Sequence, residues 1–333
     1  MPIGDQEQIT RGQHFVPQFY LRRFTNPKNE VEILDCKDRK ILTPRGTKGV
    51  CYEDFFYGIR TGEPDELSQQ IESRFQQMED YISKNIGFVI DKILNGEKVL
   101  DDDKWLVAFL MSMLWIRGPV MREQINKMSE SVYKRVNAFR FSHPKVDELF
   151  DRVDAEKGTT TSPEMREKVK KMITEESYSL EFSNAQHMMM FDNFKGFANL
   201  FWGQDWTVYI TKGKRKFITS DNPIAVMFPK RQGFYGPTFL ERTHYFALTP
   251  EIMIMARYPL KDSGKKFHRK TLFDDSQSEV LRLNMIVSGQ AYKQAYSNNR
   301  RDLEDVISTV GTLEQFLETP EGKKIYQELN GKT

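Results

Sequence analysis

Apolar residues change their period twice along this chain. From Leu67 to Phe141 they recur at intervals of three and four, and on either side they alternate or gather in short runs closed by turn residues. Leu67, Ile71, Phe75, Met78 and Ile82 mark an amphipathic helix that starts near Pro64 and Asp65. Asp101 to Arg117 opens with three acids, where a helix dipole favours them. It continues with an almost wholly apolar body, as expected of a central core helix. Gly118-Pro119 interrupts it. Met121 to Phe141 then runs on with Ile125, Met128, Val132, Val136 and Phe139 as its inner stripe and Lys134, Arg135 and Arg140 as its wet face. Gly158 to Thr161 is a loop, and a helix restarts at Ser162-Pro163-Glu164 with Ser162 as its cap. Asn184 to Trp202 is rich in Met and Phe, and its Met188-Met189-Met190-Phe191 run reads as core filler rather than a cofactor box.

The flanks read differently. Val31 to Cys36 and Arg39 to Thr43 predict a hairpin around Lys37-Asp38, and Val50 to Tyr57 is an aromatic extended segment, either a strand or a cover. Beyond the helices, Trp206, Val208 and Ile210 alternate with Thr207, Tyr209 and Thr211. Lys212-Gly213-Lys214 makes a turn, and Lys216 to Thr219 is expected back as the partner strand. His244 to Leu248 and Ile252 to Ala256 read as buried strands, Gly264 to Lys270 as a basic exposed loop with His268, and Ser276 to Tyr296 as a long helix carrying Asn284 on its apolar face. The tail from Asp302 to Leu329 reads as two short helices. The expected class is α+β, with an antiparallel sheet from the N- and C-terminal thirds and a large helical middle. Boundaries fall at 1–60, 61–203, 204–300 and 301–333 within one globular unit.

Composition narrows function mainly by exclusion. A net charge of +2 with 29% charged residues advertises no global field for nucleic acid, although local basic patches stay open. The polar first ten residues and the lack of any apolar run of about 18 predict a soluble, cytoplasmic protein with no membrane partner. Two cysteines, Cys36 and Cys51, are too few for a disulfide framework, and with five histidines no zinc spacing occurs.

Two short stretches concentrate the chemistry. In Gln13-His14-Phe15-Val16-Pro17-Gln18-Phe19-Tyr20-Leu21-Arg22-Arg23-Phe24, Pro17 suits a helix start, aromatic residues fill overlapping faces, and His14 sits just before the turn. In Thr219-Ser220-Asp221-Asn222-Pro223, short polar side chains either cap a turn or present a carboxylate and an amide at a sheet rim. His187 is a second histidine of interest, with a partly buried structural role as the plainer reading.

These stretches, with Phe246-Ala247-Leu248-Thr249-Pro250 and Leu283-Asn284, resemble in order and separation the domain-of-unknown-function family 4238, over residues 13 to 300. In that family the third motif usually carries proline where this chain has Ala247. The resemblance implies that His14, Asp221 and Asn222 are motif positions, and it carries no settled activity.

Two functional expectations follow. The first is a hydrolase, with nuclease action in defence against foreign genetic elements as its sharper form. His14 is the acid/base and Asp221 orients it or binds a divalent metal ion. Gln18, Tyr20, Ser220 and Asn222 hold substrate, and Arg22 or Arg23 meets a phosphate. Asp221 alone under-ligands a metal, so Glu53, Asp54 or Asp192 must assist. Against it, no two-acid-plus-lysine strand motif and no histidine pair occurs. The second is a non-enzymatic module that recognises nucleic acid or protein through the aromatic stretch and Lys265, Lys266, Arg269 and Lys270. In its plainest form His14, Asp221 and Asn284 are a structural polar network.

Overall fold

The N-terminal motif folds as its residues dictate. Pro17, at φ −60°, precedes helix α1 (Gln18–Leu21), which tightens into a single 3₁₀ turn at Arg22–Phe24. Strand β1 (Gly12–His14) comes before it. The hairpin of β2 (Glu30–Asp35) and β3 (Lys40–Gly46) follows, and β4 (Tyr52–Asp54) pairs antiparallel with β1. The computed structural model describes residues 11–57, 59–60, 67–68, 70–180, 182, 193–228, 242–258, 266–309, 318–320 and 322–323. A two-residue pair, β5 (Ile59–Arg60) and β6 (Leu67–Ser68), leads into helix α2 (Gln70–Leu94). Then come α3 (Asp101–Arg117), α4 (Pro119–Phe141), α5 (Val146–Lys157), α6 (Pro163–Thr174) and α7 (Phe194–Trp202). The C-terminal part is mainly β. It contains β7 (Asp205–Thr211), β8 (Thr219–Ser220), β9 (Ile224–Met227), β10 (Thr243–Thr249), β11 (Ile252–Arg257) and β12 (Phe267–Leu272), then α8 (Gln277–Gly289), β13 (Gln294–Ser297) and α9 (Arg300–Ser308). The class is α+β, with strands from both ends of the chain and helices between.

The chain divides into two compact units, Met1–Val120 with Met188–Thr333, and Met121–His187. The larger unit contains two main sheets. One has the order β12-β7-β11-β10-β9, antiparallel except for the parallel β12–β7 edge; the other has the order β3-β2-β13-β8. N- and C-terminal strands thus meet in the second sheet, where Tyr296 faces Ile33 on one side and Thr219 on the other. Helix α8 touches strands of both sheets, and its Asn284 donates to Lys216 O at 2.8 Å while accepting from Ile218 N at 3.1 Å. Helices α3 and α7 pack through Phe109 and Phe194, Trp105 and Trp202, and a hydrogen bond from Ser112 Oγ to Phe194 O.

The β7–β8 stretch departs from the expected hairpin. Residues 216–218 are taken by Asn284, Phe217 N donates to Pro250 O, and β8 joins the other sheet. The expected helix to Tyr296 also ends early, at Gly289, because the backbone of 292–294 is drawn onto the Asp221 carboxylate and becomes β13. The basic loop at 264–270 is largely strand: β12 begins at Phe267, and Arg269 donates to the carbonyls of Gly96, Glu97 and Lys92, at the C-terminal end of α2. Lys265, His187, Asp192 and the Met188–Phe191 run lie outside the described residues.

The smaller unit holds α4 from Met121 onward, α5 and α6. Gly158, at φ 64°, ends α5 in the left-handed conformation that glycine tolerates, and Ser162 caps α6 by accepting from Met165 N. Asp154 binds Thr159, Thr161 and Arg166. Helix α4 departs in part from its expected polarity: Ile125 is buried and Arg135 and Arg140 are exposed as expected. Lys134 and Asn137 lie against Tyr178, whereas Met128, Val132, Val136 and Phe139 of the expected inner stripe face solvent.

Candidate functional site

The residues of the first motif are held by a set of buried polar groups that gather around His14. Gln13, fully buried, accepts from Tyr57 N at 2.6 Å. The His14 carbonyl accepts from an Arg117 guanidinium nitrogen and, at 3.4 Å, from Tyr57 Oη. Arg117 ends the apolar helix α3 fully buried. Its charge is met by Glu79 at 2.5 Å, by Tyr57 Oη at 3.1 Å, and by the Phe75 ring 4.3 Å away. Glu72 stands one heptad before Glu79 on α2, and both acids project on the helix face that also carries Phe75 and Ile82.

Among the described residues, two side-chain atoms in this cluster are buried with no hydrogen-bond partner: His14 Nε2 and Glu72 Oε2. Burial is the main reason the His14 pKa falls below the ordinary imidazole value, and nearby Arg117 adds to it. The backbone at Thr47 and Lys48 and the Glu79 charge pull the other way. Glu72 moves up, chiefly through burial and further through Glu79, with Arg117 opposing. The two shifts run in opposite senses, toward a neutral imidazole and toward a protonated carboxyl, and both groups feel Arg117 and Glu79. Cys51, which begins the segment opposite β1, holds a φ of 56°, a conformation that costs a side-chain-bearing residue about 1 kcal/mol.

Asp221 occupies a different local network. Its carboxylate accepts from Tyr292 N at 2.7 Å, Lys293 N at 2.8 Å and Gln294 N at 2.9 Å, and its own N–H donates to Gln294 O. Burial pushes its pKa up to about 6 against the pull of those donors. Ser220 Oγ donates to Asn222 O and accepts from Asn222 N, an Asx-like closure of the turn, while Asn222 Nδ2 donates to Gln290 O. His14 and Asp221 share no hydrogen bond among the described residues. The link between their networks runs through Cys51: its carbonyl accepts from Phe15 N, and its thiol donates to Tyr296 Oη, 3.3 Å away.

The remaining expected site residues separate by exposure. Tyr20 is completely buried, with its hydroxyl donating to Ala247 O at 2.7 Å and lying 2.7 Å from Thr219 Oγ1. The first three motifs thus meet at one hydroxyl. Gln18 is half-buried with Thr47 Oγ1 at 3.5 Å; Arg22 is exposed, and Arg23 is partly buried. Asp54 pairs with Arg11 at 2.8 Å, and among the described residues no three His, Cys, Asp or Glu side chains are placed to hold a metal ion.

The model of the family described as a protein of unknown function, DUF4238, matches residues 12–301. The chain belongs to the DUF4238 family. No curated protein and no solved structure matches it.

Within this DUF4238 chain, sequence reading missed Glu72, Glu79, Tyr57 and Arg117. Signals for three of them were present. Glu72 and Glu79 fall in the 3–4 apolar spacing of α2, and Arg117 is the one charge at the end of a nearly apolar helix. Tyr57 carried no such mark.

Proposed function

We propose that this protein is a hydrolase whose acid–base centre is His14, with Glu72 as its partner carboxyl. The observation that carries the reading is the pair of buried, unbonded atoms, His14 Nε2 and Glu72 Oε2, in one cluster with the Arg117–Glu79 ion pair. Neutral His14 takes the proton of an attacking water or hydroxyl, and Glu72 in its acid form returns one to the leaving group. Arg117, which donates to Glu79, Tyr57 and the His14 carbonyl, holds the His14 backbone as a positioning residue. Exposed Arg22 and Lys48 supply the positive charge that a phosphodiester would meet, which supports nucleic acid as the substrate class. Asp221 holds the turn before β13 in this reading and supports the site at one remove.

The test is hydrolysis of single- and double-stranded RNA and DNA and of a chromogenic phosphodiester by wild type, His14→Gln and Glu72→Gln. Both variants should lose at least about a hundredfold in rate while melting like wild type. A wild-type chain inert on every substrate, or a His14→Gln variant at full rate, refutes the proposal.

A second reading has its own support. Tyr20, Asp221 and Asn284 spend their polar atoms on backbone and neighbouring side chains, as expected of a non-enzymatic scaffold whose motifs hold two sheets together.

A further inference from the structure

Helix α4 is built inside out for a finished core. Ile125, Val132 and Phe139 repeat every seven residues, as do Met121 and Met128, the spacing of a helix-pairing seam. Met121 and Ile125 are buried, yet from there on the seam emerges: Met128 is 63%, Val132 55%, Val136 47% and Phe139 79% exposed. Leu149 and Val153 of α5 and Met165 and Met172 of α6 are also exposed. Among the described residues of 121–187, only Met121, Ile125 and Val146 are buried hydrophobics. A unit this small cannot leave its apolar side chains in water without cost, and scattered single residues do not explain a continuous stripe.

We propose that the α4 stripe is the interface of a two-fold homodimer, with α4 of one copy packed against α4 of the other near Val132. The area fits. With side chains of roughly 150–220 Å² each, Met128, Val132, Val136 and Phe139 present roughly 450 Å² of apolar surface. That is the apolar share of a standard interface of about 800 Å² per partner. The geometry fits as well, because Val132 lies midway between Ile125 and Phe139, and a self-pairing helix must cross its copy on the symmetry axis. The charges set the salt dependence. At 100° per residue Arg135 and Arg140 flank the stripe on opposite sides and make no ion pair among the described residues, whereas Glu123 and Glu130 project from the opposite face. Two copies therefore bring like charges to the rim of an apolar contact. Association should strengthen as salt screens them. An anionic membrane or an acidic protein partner would show the opposite trend.

The experiment is sedimentation velocity on the full chain over a concentration series at low and high salt. Wild type should reach twice the monomer mass and associate more tightly at high salt. Val132→Glu should weaken association by about tenfold or more, whereas Phe88→Glu, at a site 70% exposed on α2, should leave it unchanged. As a measurement that does not depend on disruption, Val132→Cys should form an intermolecular disulfide under mild oxidation. A wild-type chain that stays monomeric overturns the proposal, whether or not it floats with anionic vesicles. A dimer left intact by Val132→Glu, or one that loosens with salt, does so as well.

Discussion

Replacing Tyr20 by Phe removes a single oxygen from the point where the two main sheets are tied. The ring keeps its place against Phe24 and Phe246, at centroid distances of 5.4 and 5.6 Å, so volume and aromatic packing are preserved. What goes is the bond from Tyr20 Oη to Ala247 O in β10 and the 2.7 Å contact with Thr219 Oγ1 in β8. The lost hydrogen bond is worth about 1 kcal/mol, and leaving a buried carbonyl without that partner costs about 1–3 kcal/mol more. A total of about 2–4 kcal/mol is expected, a large share of the roughly 5–15 kcal/mol that holds most domains together. Urea unfolding followed by tryptophan fluorescence measures it, with the midpoint shifted and the slope unchanged. Tyr81→Phe, at a residue 60% exposed, is the control and should move the midpoint by less than about 0.5 kcal/mol. Thr219→Val should cost less alone and lose most of its effect in the Tyr20→Phe background, because the two hydroxyls share one interaction. A Tyr20→Phe loss below about 0.5 kcal/mol would refute the claim that this hydroxyl joins the sheets.

Other substitutions test the neighbouring networks. Asp221→Ala leaves three backbone N–H groups, those of Tyr292, Lys293 and Gln294, without an acceptor. It should cost about 3–5 kcal/mol by urea unfolding; a loss under about 1 kcal/mol would mean that β13 forms without that carboxylate. Arg117→Met removes the partner of Glu79, which keeps a quarter of its side chain in water, so about 2–3 kcal/mol is expected rather than the full cost of breaking a buried pair. Melting curves decide it, and an unchanged midpoint would show that the ion pair is dispensable. Burial raises Asp221 and Asp302 from an ordinary 3.8 to about 6, so the folded chain binds extra protons between about pH 4 and pH 6. Their contribution to stability is full below that window, declines as pH rises through it and is flat above. Proton uptake on refolding at a pH near 5 should shrink in Asp302→Asn, and equal uptake in the variant would show that Asp302 has its ordinary pKa.

The sequence alone determined the elements whose signal is local. The 3–4 spacing located α2, α3 and α4, Ser162-Pro163 fixed the start of α6, alternation marked β7, the turn at Lys37-Asp38 marked β2 and β3, and short apolar runs marked β10 and β11. It also pointed to His14, set before an aromatic turn, and to Asp221, set in a run of short polar residues. Tertiary structure decided everything that depends on a partner remote in sequence. Asp221 ends α8 early by binding N–H groups about seventy residues away, and Asn284 diverts residues 216–218 from the strand they resemble. Arg117 and Glu79 meet only because α2 and α3 pack, which brings the His14 cluster together. Periodicity states which side chains share a face; it cannot state whether that face finds protein or water. The same spacing that buries Phe75 and Ile82 on α2 leaves Val132 and Phe139 exposed on α4.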